Sequence, residues 1–305
     1  MTTRYGFISD IHQNPNIIPT MIRKFKEEKV NAIVANGDIG EDARTLSFFI
    51  EWAAYSEIPT IIQPGSHEKI AEFESMLEYF SSKNPTIINA RQIGGIKAKD
   101  HSLVFLSGSD WNVQGGEYHL AKEDKYESGI YKTQEGIISL TNMNDLEKMV
   151  KEPENTIVVC HVPRKFDNTD TCVDVAYFGE KPDGSVVPGL AIAEMIRQKY
   201  KAITPEDIER IADKMGFKFK IENRGNEHLK EMYKKLGITK AVSGHFHESG
   251  HQANDSKGNK IPQGTFTPEL FWNSGYGDAG QCGILNVDRN KVSYENLKLK
   301  NIIQP

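Results

Sequence analysis

The chain has 305 residues, with 37 Lys and Arg against 42 Asp and Glu and a formal net charge of −5. That length can bury a large core, and 38% hydrophobic with 26% charged residues excludes a disordered or fibrous chain. The acidic balance argues against unspecific binding of nucleic acid, which calls for a basic stripe, and three cysteines without CxxC spacing exclude a disulfide framework and a cysteine zinc site.

In chain order, residues 5–8 form a first apolar run, and residues 17–28 follow with Ile18, Ile22 and Phe25 at helical spacing. A second strand is predicted at 32–35, a helix at 44–56, a third strand at 60–63, and a helix at 71–80 with Phe73, Met76, Leu77 and Phe80 as its stripe. Further strands are predicted at 103–107 and 157–160. This alternation is that of an α/β protein with helices covering its strands. Residues 162–238 break the pattern with Pro163, Pro182, Gly184, Pro188 and Gly189, then several helices, and are read as an insertion or cap within one domain spanning 1–305. Thr204, Pro205, Glu206 and Asp207 supply a cap, a first-turn proline and first-turn acids, predicting a helix over 205–215. A helix at 227–236 leads to a strand at 241–243, and residues 264–305 hold antiparallel strands at 283–287 and 292–297 that are expected to complete a second sheet. No segment approaches the ~20 apolar residues of a membrane span, and no signal-peptide run follows Met1, so a cytoplasmic protein without a membrane partner is expected.

The predicted strands end in loops carrying Asp or His, and strand carboxyl ends are where α/β proteins place ligands. The loops are Ser9-Asp10-Ile11-His12, Asn36-Gly37-Asp38, Pro64-Gly65-Ser66-His67-Glu68, Cys160-His161 and Ser243-Gly244-His245-Phe246-His247. Asp-x-His and His-x-His place both side chains on one side of an extended segment. Singly, each motif is an ordinary loop or a satisfied histidine. Together they hold five of the nine histidines, each just past a strand, which accident does not explain.

These blocks resemble, in order, those of the calcineurin-like metallophosphoesterases: Asp-x-His, Gly-Asp, Gly-Asn-His-Asp/Glu, a single His, and Gly-His-x-His. The Ser-Asp-Ile-His block is most similar to that of small bacterial and archaeal phosphodiesterases. The resemblance implies a four-layer α/β/β/α sandwich of two mixed sheets flanked by helices, here with an inserted helical cap. It implies two divalent metal ions, with manganese expected and iron, zinc or nickel as alternatives. Asp10, His12, Asp38 and His247 would hold one ion and Asp38, His161 and His245 the other, with Asp38 bridging. His67 would be the non-ligand catalytic histidine that assists the leaving group. The implied activity is hydrolysis of a phosphomonoester or phosphodiester by a metal-activated hydroxide, and the partner a phosphorylated small molecule or nucleotide.

Ser66 stands where the family has an Asn that ligates the second metal and lies near the substrate phosphate. This departure opens an alternative, a phosphoesterase-like scaffold that binds but turns over little. A nuclease of the same family is a further alternative that the acidic balance disfavours. Arg164 is a candidate phosphate contact through its planar fork, against an exposed loop arginine as the plainer reading. Asn14, Arg44 and Glu68 are candidate partners of the ligands. Phe166, Tyr177 and Phe178 are read as the small core of the insertion, and Cys160 as an inert buried residue.

Overall fold

Alternation along the first strand sets the layering. In the computed structural model, which describes residues 2–40, 42–110, 114–120, 126–134, 136–201 and 204–300, Thr3–Ile8 sends Tyr5 and Phe7 to one face and Ile8 to the other. Tyr5 and Phe7 pack with Val34 and Ile61 of neighbouring strands against Phe105, Val159, Val242 and Trp272 of a second sheet. Ile8, Ile33 and Ile62 face outward onto the helices Ile18–Glu27, Ala43–Ser56 and Ile70–Lys83. Two faces of each strand are therefore buried, which is why these strands are nearly continuous apolar runs.

The first sheet has six strands in the order Lys291–Lys298, Gln281–Asp288, Thr3–Ile8, Ala32–Asn36, Thr60–Gln63 and Ile87–Asn89. The last four run parallel and the first two are antiparallel. The second sheet runs Ala253–Asn254, Leu270–Asn273, Lys240–Ser243, Thr156–Cys160, Ser102–Leu106 and Gly95–Lys97, with its four central strands parallel. Its outer face is covered by Asp145–Met149 and Glu227–Leu236, through Leu146, Leu229, Met232 and Tyr233. The result is the expected four-layer sandwich of two mixed sheets.

Helix ends follow local chemistry. Asp42 accepts a hydrogen bond from the Thr45 amide at 2.8 Å to open Ala43–Ser56, and Thr204 accepts from the Asp207 amide at 3.2 Å to open Pro205–Lys214, as predicted.

Three features differ from expectation. The C-terminal pair Gln281–Asp288 and Lys291–Lys298 joins the sheet of the N-terminal strand, not the other one. Alternation shows that Leu285 and Val287 face a core, but both sheets share that core; residues 301–305 of that segment lie outside the described residues. Leu270–Asn273, an unforeseen strand, joins the second sheet instead. It is four residues long and buried on both faces, so it shows no alternation. The insertion carries, besides the helices Gly189–Tyr200 and Pro205–Lys214, a three-stranded sheet of Val175–Glu180, Val186–Pro188 and Lys218–Asn223. Ile192, Ile196, Ile208 and Phe217 form its separate small core.

Candidate metal centre

The parallel strands of the two sheets deliver their carboxyl ends to one edge of the sandwich, where a buried polar ladder joins them. Asn36 Nδ2 donates to the Cys160 carbonyl at 3.0 Å, Gln63 Nε2 donates to Asn36 Oδ1, and Ser107 Oγ donates to Gln63 Oε1 at 3.3 Å. Immediately past these strands the backbone turns sharply. Asp10, Asp38 and His245 adopt φ of 56°, 54° and 68°, a left-handed conformation that costs about 1–3 kcal/mol in a non-glycine residue and clusters at functional sites. Backbone bonds hold these turns: the Asp10 amide donates to the Gly37 carbonyl at 3.1 Å and the Ile11 amide to the Asp38 carbonyl at 2.7 Å. At Gly65 a Cβ would collide with Asp38 Oδ1, so only glycine lets that loop approach the carboxylate.

Three groups of side chains converge: Asp10, His12 and His247; Asp38, His161 and His245; and His12, Asp38 and His67. Within each group the donor atoms lie within 4.8 Å of one another. His161 Nε2 is 3.0 Å from Asp38 Oδ2, His247 Nε2 is 3.4 Å from Asp10 Oδ1, and the Nε2 atoms of His12 and His247 are 3.2 Å apart. His161 Nδ1 lies 2.9 Å from the Asn36 carbonyl, which aims Nε2 at the cluster. Asp10 and Asp38 are fully buried.

The electrostatics are those of a site that demands positive charge. Burial pushes the Asp38 carboxyl up, but His161 outweighs it and holds the group well below the usual carboxylate range. Burial is likewise outweighed at Asp10, held at about 2 by His247 and His161, and at His161, raised to about 10 by Asp38. His245, by contrast, is pushed down to about 3 by burial and by the charge on His161. A proton on His161 thus balances the carboxylates, a role that a bound cation would take over while releasing that proton. Two buried carboxylates among imidazoles also suit borderline divalent metals, so the residues present fit such ions.

Every histidine and aspartate foreseen from the sequence lies in this cluster. Ser66 is there too: its amide donates to Asp38 Oδ1 at 2.6 Å and its hydroxyl to Asp38 Oδ2 at 2.7 Å. The His67 amide adds a bond to Asp38 Oδ1 at 2.9 Å, and the His67 ring packs edge-to-face on His12 with centroids 4.8 Å apart. Glu68, buried, accepts from the amides of Ile39 at 2.6 Å and Gly65 at 2.9 Å, tying the two ligand loops together. Burial and the Asp38 charge push its carboxyl up to about 7.

Arg164 is a correction. Its guanidinium lies over the rings of Phe166 and Phe271, 4.1 and 4.7 Å from their centroids, and donates to the Ser256 carbonyl at 2.8 Å. Its backbone forms a bridge with Asn226, and its side chain does not line the cavity over the cluster. Phe166 packs there with it, whereas Tyr177 and Phe178 line that cavity rather than forming the insertion's core. Cys160 is buried as expected, with burial raising its thiol to about 12. Asn14 bonds to Asp278, its amide donating to the carboxylate at 2.9 Å and Nδ2 to the carbonyl at 3.0 Å; Arg44 has no described contact with the cluster.

Two residues escaped the sequence. Asp278 accepts from the amides of His12 at 3.0 Å, Gln13 at 3.0 Å and Asn14 at 2.9 Å, fixing the first ligand loop. Tyr276 stacks flat on His247, with centroids 3.9 Å apart and planes at 7°. Both follow the unforeseen Leu270–Asn273 strand, so the strand-end rule would have found them had that strand been recognised.

A two-sheet sandwich with an Asp/His cluster at the carboxyl ends of both sheets is the architecture of the metallophosphoesterase class. The calcineurin-like phosphoesterase family model matches residues 3–249, and the chain belongs to that family. The fold is similar to that of TT1561 from Thermus thermophilus, with a TM-score of 0.54 and 9% identity over 97% of this chain and 99% of that one. A dimetal phosphatase from Danio rerio aligns over 98% of this chain and 99% of its own with 10% identity and a TM-score of 0.45. No curated protein matches the chain in sequence.

Proposed function

We propose that this protein hydrolyses small phosphodiesters, of nucleotide type, with two divalent cations, manganese the expected pair. The observation that carries the reading is the Asp38 carboxylate, which belongs to two of the three ligand groups and sits under a cavity of about 400 Å³. Asp10, His12, Asp38 and His247 would hold one cation, and Asp38, His161 and His245 the other. The bound pair would act as Lewis acids on the phosphoryl oxygens and make water acidic enough to supply the nucleophile at neutral pH. Asp38, oriented by three hydrogen bonds from Ser66 and His67, fixes the two half-sites relative to each other. His67, partly exposed at the cavity, would protonate the departing oxygen.

A diester is preferred over a monoester because the cavity beside the cluster has an apolar wall against which a second ester substituent would rest. The cavity is walled by Val187, Pro188, Phe178 and Phe246, and Arg224 is the one Lys or Arg among its described lining residues. Three buried free cysteines support a reducing compartment, the cytoplasm.

The test is metal content by mass spectrometry on protein purified without chelators, with turnover of bis-p-nitrophenyl phosphate and p-nitrophenyl phosphate in added manganese. About two metals per chain and metal-dependent cleavage favouring the diester are expected; no turnover with manganese restored would overturn the proposal. The Ser66 hydroxyl is engaged by Asp38, so Ser66→Asn should tighten the second metal and raise turnover. A binding scaffold would gain nothing from it.

A further inference from the structure

Arg224 lines the cavity from the insertion, at the point where the insertion's last strand re-enters the main fold. Its backbone is pinned. The Arg224 amide donates to the Asp174 carbonyl at 2.9 Å, Asn223 Nδ2 donates to the buried Asp174 carboxylate at 2.7 Å, and the Gly225 amide donates to that carboxylate at 3.2 Å. A Cβ at residue 225 would collide with the Arg164 carbonyl, so the chain is drawn tightly against the sandwich here. The side chain, in contrast, is uncommitted. Its guanidinium lies over the Phe178 ring, 4.7 Å from the centroid, and Nη1 is 3.9 Å from Glu222, too long for a hydrogen bond. Among the described residues nothing engages its fork of donors through a side-chain hydrogen bond.

Around it the wall is apolar, formed by Tyr177, Phe178, Val187, Pro188 and Phe246. Tyr177 is itself stacked on Phe219 with centroids 4.9 Å apart and planes at 22°, which fixes its ring. A flat, ordered apolar wall with one cationic fork at its edge matches an aromatic base bearing a phosphate. Apart from Asp38 in the ligand cluster, the other carboxyl groups of the lining, Asp110 and Glu248, offer an anion no attraction, so Arg224 selects its position.

We infer that the site takes a dinucleotide-sized diester that carries a second, terminal phosphate, which Arg224 grips while an adjoining base rests on the Tyr177 and Phe178 wall. The inference rests on the diester hydrolysis proposed above and adds the recognition of the second anion. The guanidinium, backed by Phe178, would close a bidentate contact with two oxygens of the terminal phosphate.

The test compares manganese-loaded wild type, Arg224→Ala and Arg224→Lys on the 5′-phosphorylated dinucleotide pApA, the unphosphorylated ApA, and bis-p-nitrophenyl phosphate. Wild type is expected to cleave pApA with a kcat/KM about tenfold or more above that for ApA, the discrimination of one charge-assisted bidentate contact. Arg224→Ala should erase the preference, mainly through KM, and Arg224→Lys should restore part of it. Equal use of pApA and ApA by a wild type that cleaves bis-p-nitrophenyl phosphate would overturn the inference and leave the proposed function standing. Equal losses on all three substrates in Arg224→Ala would also overturn it, showing that Arg224 supports the insertion instead. Failure of wild type on all three would overturn both.

Discussion

The floor of the cavity and the wall contributed by the insertion hold their side chains in opposite ways. On the floor, Asp10, Asp38 and His161 are exposed by only 1%, 2% and 0%, and each carboxylate oxygen or ring nitrogen has a partner from another loop. On the wall, the Arg224 side chain is 43% exposed and rests on one aromatic ring. The floor is anchored in two six-stranded sheets with a shared core, whereas the wall belongs to a three-stranded sheet backed by a few residues such as Ile192 and Ile196. The difference teaches that the chemical step and the choice of substrate are built on supports of unequal stiffness. A rigid scaffold carrying a separately packed wall lets one change without the other.

The comparison breaks hardest at Asp38. Asp38→Asn removes a charge shared by two ligand groups and should lower turnover on the order of a thousandfold, with bound metal falling below two per chain; turnover assays and metal analysis read both. Next is Ile196→Ala in the insertion, fully buried in its separate core. It should cost about 2–5 kcal/mol locally, seen as faster hydrogen exchange over 175–223, while metal content stays as in wild type. Loss of metal in that variant would show that the two regions are coupled. The finest test is Tyr276→Leu, which removes the ring stacked on His247 and should weaken metal binding by about 10–100-fold. Tyr276→Phe keeps the stack and should stay close to wild type by competition with a metal indicator.

The floor could be read from the sequence because its chemistry restricts residue type. A carboxylate or imidazole past a strand has few reasons to recur, and Asp10, His12, Asp38, His161, His245 and His247 recurred in order. The strands delivering them were equally legible, since Ala32–Asn36 and Thr156–Cys160 are unbroken apolar runs. What stayed hidden was set by packing. Leu270–Asn273 is too short to show a period, and with it went Tyr276 and Asp278. Arg164 and Arg224 look alike as loop arginines; only tertiary structure turns the first onto Phe166 and the second toward the cavity. The strands of the insertion alternate weakly because their second face is open, as Ile221 at 60% exposure shows.

The ladder of Asn36, Gln63 and Ser107 has one more consequence. Asp38 rides on one sheet and His161 on the other, so the spacing of the two half-sites equals the registration of the two sheets. Hydrophobic contact alone would tolerate sliding, since it has no preferred direction. Hydrogen bonds between fixed carbonyls and amides do not tolerate it. The ladder therefore works as a dowel through a laminate: it sets the gauge of the metal centre from below, meeting it where the Asn36 carbonyl holds the His161 ring.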